Sequence, residues 1–215
     1  MPSLTSWTTA WSVLAPAADK DAVARAGAGL LARYAEPHRQ YHTAVHVDEM
    51  VVTLGHLVDE PVDRALGALV AWFHDAAYDP ARGDNETASA AIARAVSAAL
   101  GLDSAYGQRV VELVLATAEH LLPQGDSLAA AVHDADLWIL AARAERFDDY
   151  CAQVRAEFAH IPDEAYAAGR AAILTPFAAR HRLYATDIAD RDWTPAARAN
   201  LARELARLRA GRGGA

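Results

Sequence analysis

Hydrophobic residues recur every three or four positions along most of the chain, and this spacing predicts helices. Trp7, Trp11 and Leu14 predict a first helix that ends at Pro16. A second helix is predicted over residues 19–34, capped by one of the aspartates at its start. The N-terminal part of the chain is therefore expected to be helical.

The most apolar run begins near Val62 and ends at the adjacent pair His74-Asp75. Burying an imidazole and a carboxylate is costly unless something pairs with them. A divalent cation is a suitable partner, because both ligand types bind Zn, Fe, Mn and Ni. The run therefore predicts a buried helix that carries candidate metal ligands at its end.

Two of the histidines that precede this run have helical spacing. A helix predicted over residues 42–57 would place His42 and His46 one turn apart on the same face. Pro61 then starts the helix that leads to His74-Asp75, as proline favours the first helical turn. Consecutive helices of this kind form a hairpin, so we expect the histidines to lie near that pair.

The segment 79–85 is rich in Pro, Gly and Asp and predicts a loop. Asp84 or Asn85 then caps a helix that ends before Gly101, with Glu86 in its first turn, where the helix dipole favours an anion. A further helix is predicted from Asp103 to His120. His120 would stand at the C-terminal end of this helix.

The helix predicted over residues 127–142 contains a second His-Asp pair, His133-Asp134, followed by Asp136. If Val132 and Ile139 define its inward face, Asp136 lies close to that face and Asp134 points largely away. His133-Asp134 also lacks a preceding histidine-bearing helix of its own. We therefore favour Asp136 as the interior carboxylate.

The C-terminal third predicts an amphipathic helix over residues 147–158 and another that follows Pro162 and is interrupted at Pro176. A final helix is predicted at about 195–210, starting at Thr194-Pro195, with a leucine stripe that packs on the core or on a second subunit. Residues 211–215 are expected to fray. The chain shows no internal repeat or linker.

Composition supports an all-α fold. The 215 residues are 53% hydrophobic with only 12 Gly and 9 Pro. This composition predicts a single-domain helical bundle that spans residues 1–215. The formal charge of -8 argues against broad nucleic-acid binding and against binding to anionic membranes.

The sequence is typical of a cytoplasmic protein. Cys151 is the single cysteine, which excludes an internal disulfide framework and fits a reducing compartment. The first residues lack the pattern of a signal peptide, and the apolar runs are shorter than the ~20 residues of a membrane span.

The order His42, His46, then His74-Asp75, then Asp136 resembles the HD superfamily of metal-dependent phosphohydrolases. The start, Tyr41-His42-x-x-x-His46, is similar to that of the cyclic-nucleotide phosphodiesterase core. The resemblance implies a helical bundle of the HD-domain type. It also implies a general acid at His42 and the metal ligands His46, His74, Asp75 and Asp136.

The wider pattern is similar to a group of small bacterial proteins described as predicted metal-dependent HD phosphohydrolases. The similarity covers most of residues 33–185. It rests on the following segments: Tyr41-His42 to Val47, Phe73-His74-Asp75-x-x-Tyr78, Asn85-Glu86-x-x-Ser89-Ala90, Ala135-Asp136-Leu137, and Tyr150 through Arg155-x-Glu157.

These observations predict a metal-dependent hydrolase that uses a metal-activated water on a small phosphorylated molecule, such as a nucleotide or nucleotide-like metabolite. Glu86 and His120 are further catalytic candidates, and the metal is Mn, Ni, Co, Zn, Mg or Fe, as one ion or two. Two alternatives stay open: a di-iron oxygenase, and a ligand-binding or regulatory module without turnover. The candidates for binding substrate are Arg39, Tyr41, Arg155 and Arg170.

Overall fold

A computed structural model of the chain describes residues 4–211. These residues form helices joined by loops and turns, and no strand occurs among them. The prediction of an all-α fold is therefore confirmed for this range. The chain divides into two compact units, Met1–Asp136 and Leu137–Ala215. The single domain predicted over residues 1–215 stays a prediction.

Within residues 4–136, the first unit contains seven α-helices. Their bounds are α1 Thr5–Leu14, α2 Lys20–Tyr34, α3 Ala44–Leu57, α4 Pro61–Phe73, α5 Asn85–Ala99, α6 Ser104–Ala116 and α7 Ser127–Asp136. Local signals fix many of these ends. The Asp19 side chain accepts hydrogen bonds from the first turn of α2, and Pro61 stands at the start of α4. Gly101, with a φ of 72°, follows the end of α5.

The central element of the first unit is α4. It packs against α1, α3, α5, α6 and α7, and every residue from Ala65 to Phe73 is buried. Trp7 of α1 lies against Trp72 and Phe73, with ring centroids 5.6 and 5.4 Å apart. Burial on all sides explains why this run is continuously apolar. It also means that the residues following α4 emerge from the core.

A close approach of α2 to α1 requires a glycine. A Cβ added to Gly27 would lie 2.6 Å from Cδ1 of Trp7, which is closer than real contacts allow. The same indole donates from Nε1 to the carbonyl of Val23 at 2.8 Å. Trp7 is thus fixed by α2 on one side and by α4 on the other.

The second unit begins with a 3₁₀ helix, Leu137–Ala141, and continues with α8 Ala144–Glu157, α9 Asp163–Ala179 and α10 Asp187–Ala210. The predicted leucine stripe of Leu201, Leu205 and Leu208 is buried. Asn200 donates to the carbonyls of Leu140 and Ala142, so α10 is tied to the start of this unit.

Several predicted ends were wrong. The hydroxyl oxygen of Thr43 caps α3, so that helix begins at Ala44 and not at His42. Helix α6 ends at Ala116 rather than at His120, and α7 gives way to the 3₁₀ helix after Asp136. Pro176, predicted to interrupt a helix, and Pro195, predicted to start one, both lie inside helices. A proline removes only one backbone donor, and packing of the rest of the helix offsets that loss.

Helix α9 runs through Pro176, which lies near its end. Helix α10 starts at Asp187 because the Thr186 side chain accepts from the N–H of Ala189, so Pro195 falls in its interior. Residues 212–215, predicted to fray, lie outside the described residues. None of the helices within residues 4–211 combines the length and apolarity that crossing a bilayer requires.

Candidate metal centre

Three helices of the first unit bring their polar side chains to one point. His46 comes from the first turn of α3, His74 follows the last residue of α4, and Asp136 ends α7. Nε2 of His46 lies 3.1 Å from Nε2 of His74 and 3.2 Å from Oδ1 of Asp136. Within residues 4–211, these three residues are the one group whose donor atoms converge closely enough to hold a metal ion.

Asp75 extends this group. Its Oδ2 lies 3.0 Å from Nε2 of His74 and 3.9 Å from Nε2 of His46. Both histidines are buried, whereas the two carboxylates keep 14% and 10% of their side-chain surface exposed. The carboxylates thus define the side of the centre that solvent reaches.

Hydrogen bonds orient both imidazoles with Nε2 toward the centre. Nδ1 of His74 donates to the carbonyl of Ala71 at 3.0 Å, one turn earlier in α4. Nδ1 of His46 shares a hydrogen bond with the hydroxyl of Tyr41 at 3.1 Å. Such partners fix the ring orientation of metal-binding histidines. Nε2 of each ring is thereby directed at the other ligand atoms of the group.

The electrostatics of the centre favour a positive charge. Burial lowers the pKa of His74, but the charges of Asp75 and Asp136 outweigh it and raise the pKa to about 9. Burial raises the pKa of Asp75, yet neighbouring histidines, led by His74, lower it well below its usual range. The pKa of Asp136 is lowered in the same way, despite burial, chiefly by the hydrogen bond from His46. The two partly buried carboxylates therefore favour a positive charge at this point.

A divalent cation fits this donor set. Two imidazole nitrogens and two carboxylates are borderline-hard ligands that suit Mn, Fe, Co, Ni and Zn. Their donor atoms already converge, so binding needs no rearrangement of the helices. The donors leave the metal's identity open. They provide a buried charged site in which a cation would replace the proton of His74.

His42 lies beside this group but not on α3. It stands in the turn before Thr43, and its ring stacks on Tyr78 with centroids 4.1 Å apart. The His42 and His46 ring centroids are 6.1 Å apart. Its proximity to the centre therefore depends on the turn and on Tyr78, and not on helical spacing.

His120 reaches the centre from the turn after α6. Its Nδ1 lies 3.6 Å from Oδ2 of Asp136, and the side chain is half-buried. Its φ of 45° is in the left-handed region, which a residue other than glycine adopts at a cost. Residues in such conformations cluster at functional sites. Sequence patterns carry no signal for this conformation.

Glu86 is half-buried in the first turn of α5. No hydrogen bond or ion pair joins it to His46, His74 or Asp136 within the described residues. Ser89, one turn later, accepts from the N–H of Ala77 and donates to its carbonyl. This pair of bonds anchors α5 to the segment that follows His74-Asp75.

The four predicted substrate-binding residues are placed differently from one another. Tyr41 supports His46, as described above. The side chain of Arg39 is fully buried and is bonded within the protein, a placement that does not favour contact with a phosphate. Arg155 and Arg170 lie in the second unit, where Arg155 bonds Asp163 and Arg170 donates to the hydroxyl of Tyr150. Their contact with substrate stays a prediction.

The second His-Asp pair is also buried, which the helix-face argument did not predict. Asp134 is 0% exposed, and its Oδ1 accepts from Nδ1 of His133 at 2.9 Å. The argument was wrong in directing Asp134 away from the interior, because helical spacing alone does not determine which sides of a helix are buried. His133 and Asp134 bond each other, and neither belongs to the group whose donor atoms converge.

Comparison with known proteins gives no match. No family model, no curated protein and no solved structure matches this chain.

Proposed function

We propose that this protein is a metal-dependent phosphohydrolase of the HD type. One observation carries the proposal: the imidazoles of His46 and His74 and the carboxylate of Asp136 converge from three helices, with Asp75 beside them. The order of these residues along the chain is that of the HD signature. The carboxylates of Asp75 and Asp136 keep 14% and 10% of their side-chain surface exposed, which supports access of water to the centre.

In this proposal His46, His74, Asp75 and Asp136 hold a divalent cation. When bound, such a cation polarises a phosphoryl oxygen and acidifies water at the site. The hydrogen bond between Tyr41 and His46 and the one that His74 donates to the carbonyl of Ala71 keep the two imidazoles in place. Asp75 and Asp136, as the most accessible members, orient the attacking water.

His42 is the proposed proton donor to the leaving oxygen. It lies next to the ligand group but is not part of it, and its stacking on Tyr78 holds the ring. General acids contribute about 10²–10⁴-fold to the rate. We expect His42→Asn to lower turnover by about 100-fold or more while the metal is retained. Loss of the metal in this variant would contradict the acid role.

Metal content tests the centre itself. We would purify the wild-type chain without added metal or chelator, alongside Asp136→Asn and Asp134→Asn, and measure metals by elemental analysis. Both substitutions replace a carboxylate on α7 by its isosteric amide. One ion per chain is expected in wild type and in Asp134→Asn, and none in Asp136→Asn. Equal metal content in all three would contradict the assignment.

Activity then separates the candidate functions. The metal-loaded protein would be assayed against a panel of phosphoesters and nucleotides in the absence of oxygen. Hydrolysis that is lost in Asp136→Asn supports the proposal. Two irons per chain, with oxygen consumption in a separate assay in air, would support a di-iron oxygenase instead. A metal-loaded protein that is inert on the panel, yet stabilised by one metabolite, would support a ligand-binding module.

A further inference from the structure

Arg39 connects two segments that carry residues of the metal centre. It lies in the loop between α2 and α3, three residues before His42. Its Nη1 donates to the carbonyl of Asp75 at 2.7 Å and to that of His42 at 3.2 Å. Its Nη2 donates to the carbonyl of Ala76 at 3.3 Å. One guanidinium thus holds the backbone of the proposed acid and that of a proposed ligand.

The arginine is itself held firmly. Its Nε donates to Glu36 at 3.1 Å, and the guanidinium lies over the rings of Tyr34 and Tyr78, 5.1 and 5.4 Å from their centroids. The whole side chain is 0% exposed. Burying a guanidinium is costly unless hydrogen bonds and a counter-charge accompany it. Here four hydrogen bonds, one of them to a carboxylate, meet that requirement.

The carbonyls that Arg39 binds need such a donor. Asp75 and Ala76 follow the end of α4, where the backbone carbonyls of a helix have no partner within the helix. The His42 carbonyl belongs to the turn before α3. The planar fork of arginine can reach all three carbonyls at once, which a single ammonium group cannot do.

We propose that Arg39 is a positioning residue of the metal centre, which sets the placement of His42 and Asp75 relative to each other by binding their backbone carbonyls. The inference rests on the metal centre of the proposed function, and concerns how that centre is held. It assigns to Arg39 a role within the protein in place of the predicted contact with a substrate phosphate.

The test compares Arg39 with a second arginine of the same unit. Arg64 donates to the carbonyls of Val58 and Asp59, away from the metal centre. Arg39→Lys and Arg64→Lys therefore each replace a carbonyl-binding guanidinium by an ammonium. Co(II) affinity would be measured by titration of the metal-free proteins, with the visible spectrum of the bound ion as a probe of ligand geometry. Circular dichroism and thermal melting would report folding.

We expect Arg39→Lys to weaken Co(II) binding by about 10- to 100-fold, the range for residues that orient metal ligands, and to alter the Co(II) spectrum. Arg64→Lys should retain the affinity and spectrum of wild type. Wild-type affinity and spectrum in a folded Arg39→Lys would overturn the inference. So would equal losses in both variants, because general destabilisation would then explain them.

If Arg39→Lys does not fold, a second variant tests the same inference. Glu36→Gln removes the carboxylate that holds Nε of Arg39 and leaves every carbonyl contact in place. We expect Glu36→Gln to lose less Co(II) affinity than Arg39→Lys and to show the same change in the Co(II) spectrum. Unchanged Co(II) affinity would overturn the inference. Wild-type protein that binds no Co(II) would overturn the metal centre and this inference together. Binding without phosphoester hydrolysis would overturn the proposed reaction alone.

Discussion

The first unit contains the same dipeptide twice, in two different settings. His74-Asp75 follows the end of α4, and its side chains meet His46 and Asp136 from other helices. His133-Asp134 lies within α7, and its side chains bond each other at 2.9 Å. Both histidines are buried, with 2% and 6% exposure.

The difference lies in where the second nitrogen of each imidazole points. Nε2 of His74 faces another imidazole and two carboxylates. Nε2 of His133 has no hydrogen-bond partner among the described residues. His74-Asp75 comes after the last residue of α4, where its side chains meet residues of α3 and α7, whereas His133-Asp134 is still within the last turn of α7. Position beyond the end of the helix, rather than within its last turn, therefore distinguishes the candidate site from the structural pair.

The largest expected effect is a loss of stability when the pair His133-Asp134 is broken. Asp134→Ala removes the acceptor of the buried Nδ1 of His133, whose Nε2 already lacks a partner. We expect the free energy of unfolding of the metal-free protein to fall by about 3 kcal/mol. Urea denaturation measures this change. Glu112→Ala, an exposed position on α6, should stay within about 0.5 kcal/mol. A wild-type midpoint in Asp134→Ala would contradict a structural role.

The next largest effect is stabilisation of the folded state by bound metal, which should depend on His74 and not on His133. A ligand present at 100 times its dissociation constant stabilises the folded state by about 2.7 kcal/mol. We expect Co(II) to stabilise wild type and His133→Asn by this amount, and a chelator to reverse the effect. Co(II) should not stabilise His74→Asn. The comparison fails if His133→Asn also loses the stabilisation, as measured by thermal melting with and without Co(II).

The smallest effect concerns His120, whose ring lies 3.6 Å from Asp136. Asparagine tolerates the left-handed backbone, so His120→Asn should keep the fold. We expect it to weaken Co(II) binding by about 10-fold, since Asp136 loses a neighbour that holds it. His56→Asn, near the end of α3, is the control and should bind Co(II) as wild type does. Unchanged affinity in His120→Asn would limit its role to contact with substrate.

Much of the helical framework follows from the sequence, because its signals are local. The apolar spacing of α1, the cap at Asp19 and Pro61 at the start of α4 each predicted what the structure contains. Errors arose where two local signals competed. The hydroxyl of Thr43 caps α3, so the helix begins after His42 and not at it. For α10, the hydroxyls of Thr186 and Thr194 could both serve as caps, and the structure uses Thr186.

The sequence by itself determined which residue types are available for a metal centre and their order along the chain: His46, then His74-Asp75, then Asp136. Only the tertiary structure decided that their donor atoms converge, that Arg39 is buried beneath them, and that Asp134 is enclosed. The physical reason is that helix formation depends on neighbours within a few residues. Burial and the direction of a side chain depend on which distant helices pack around it.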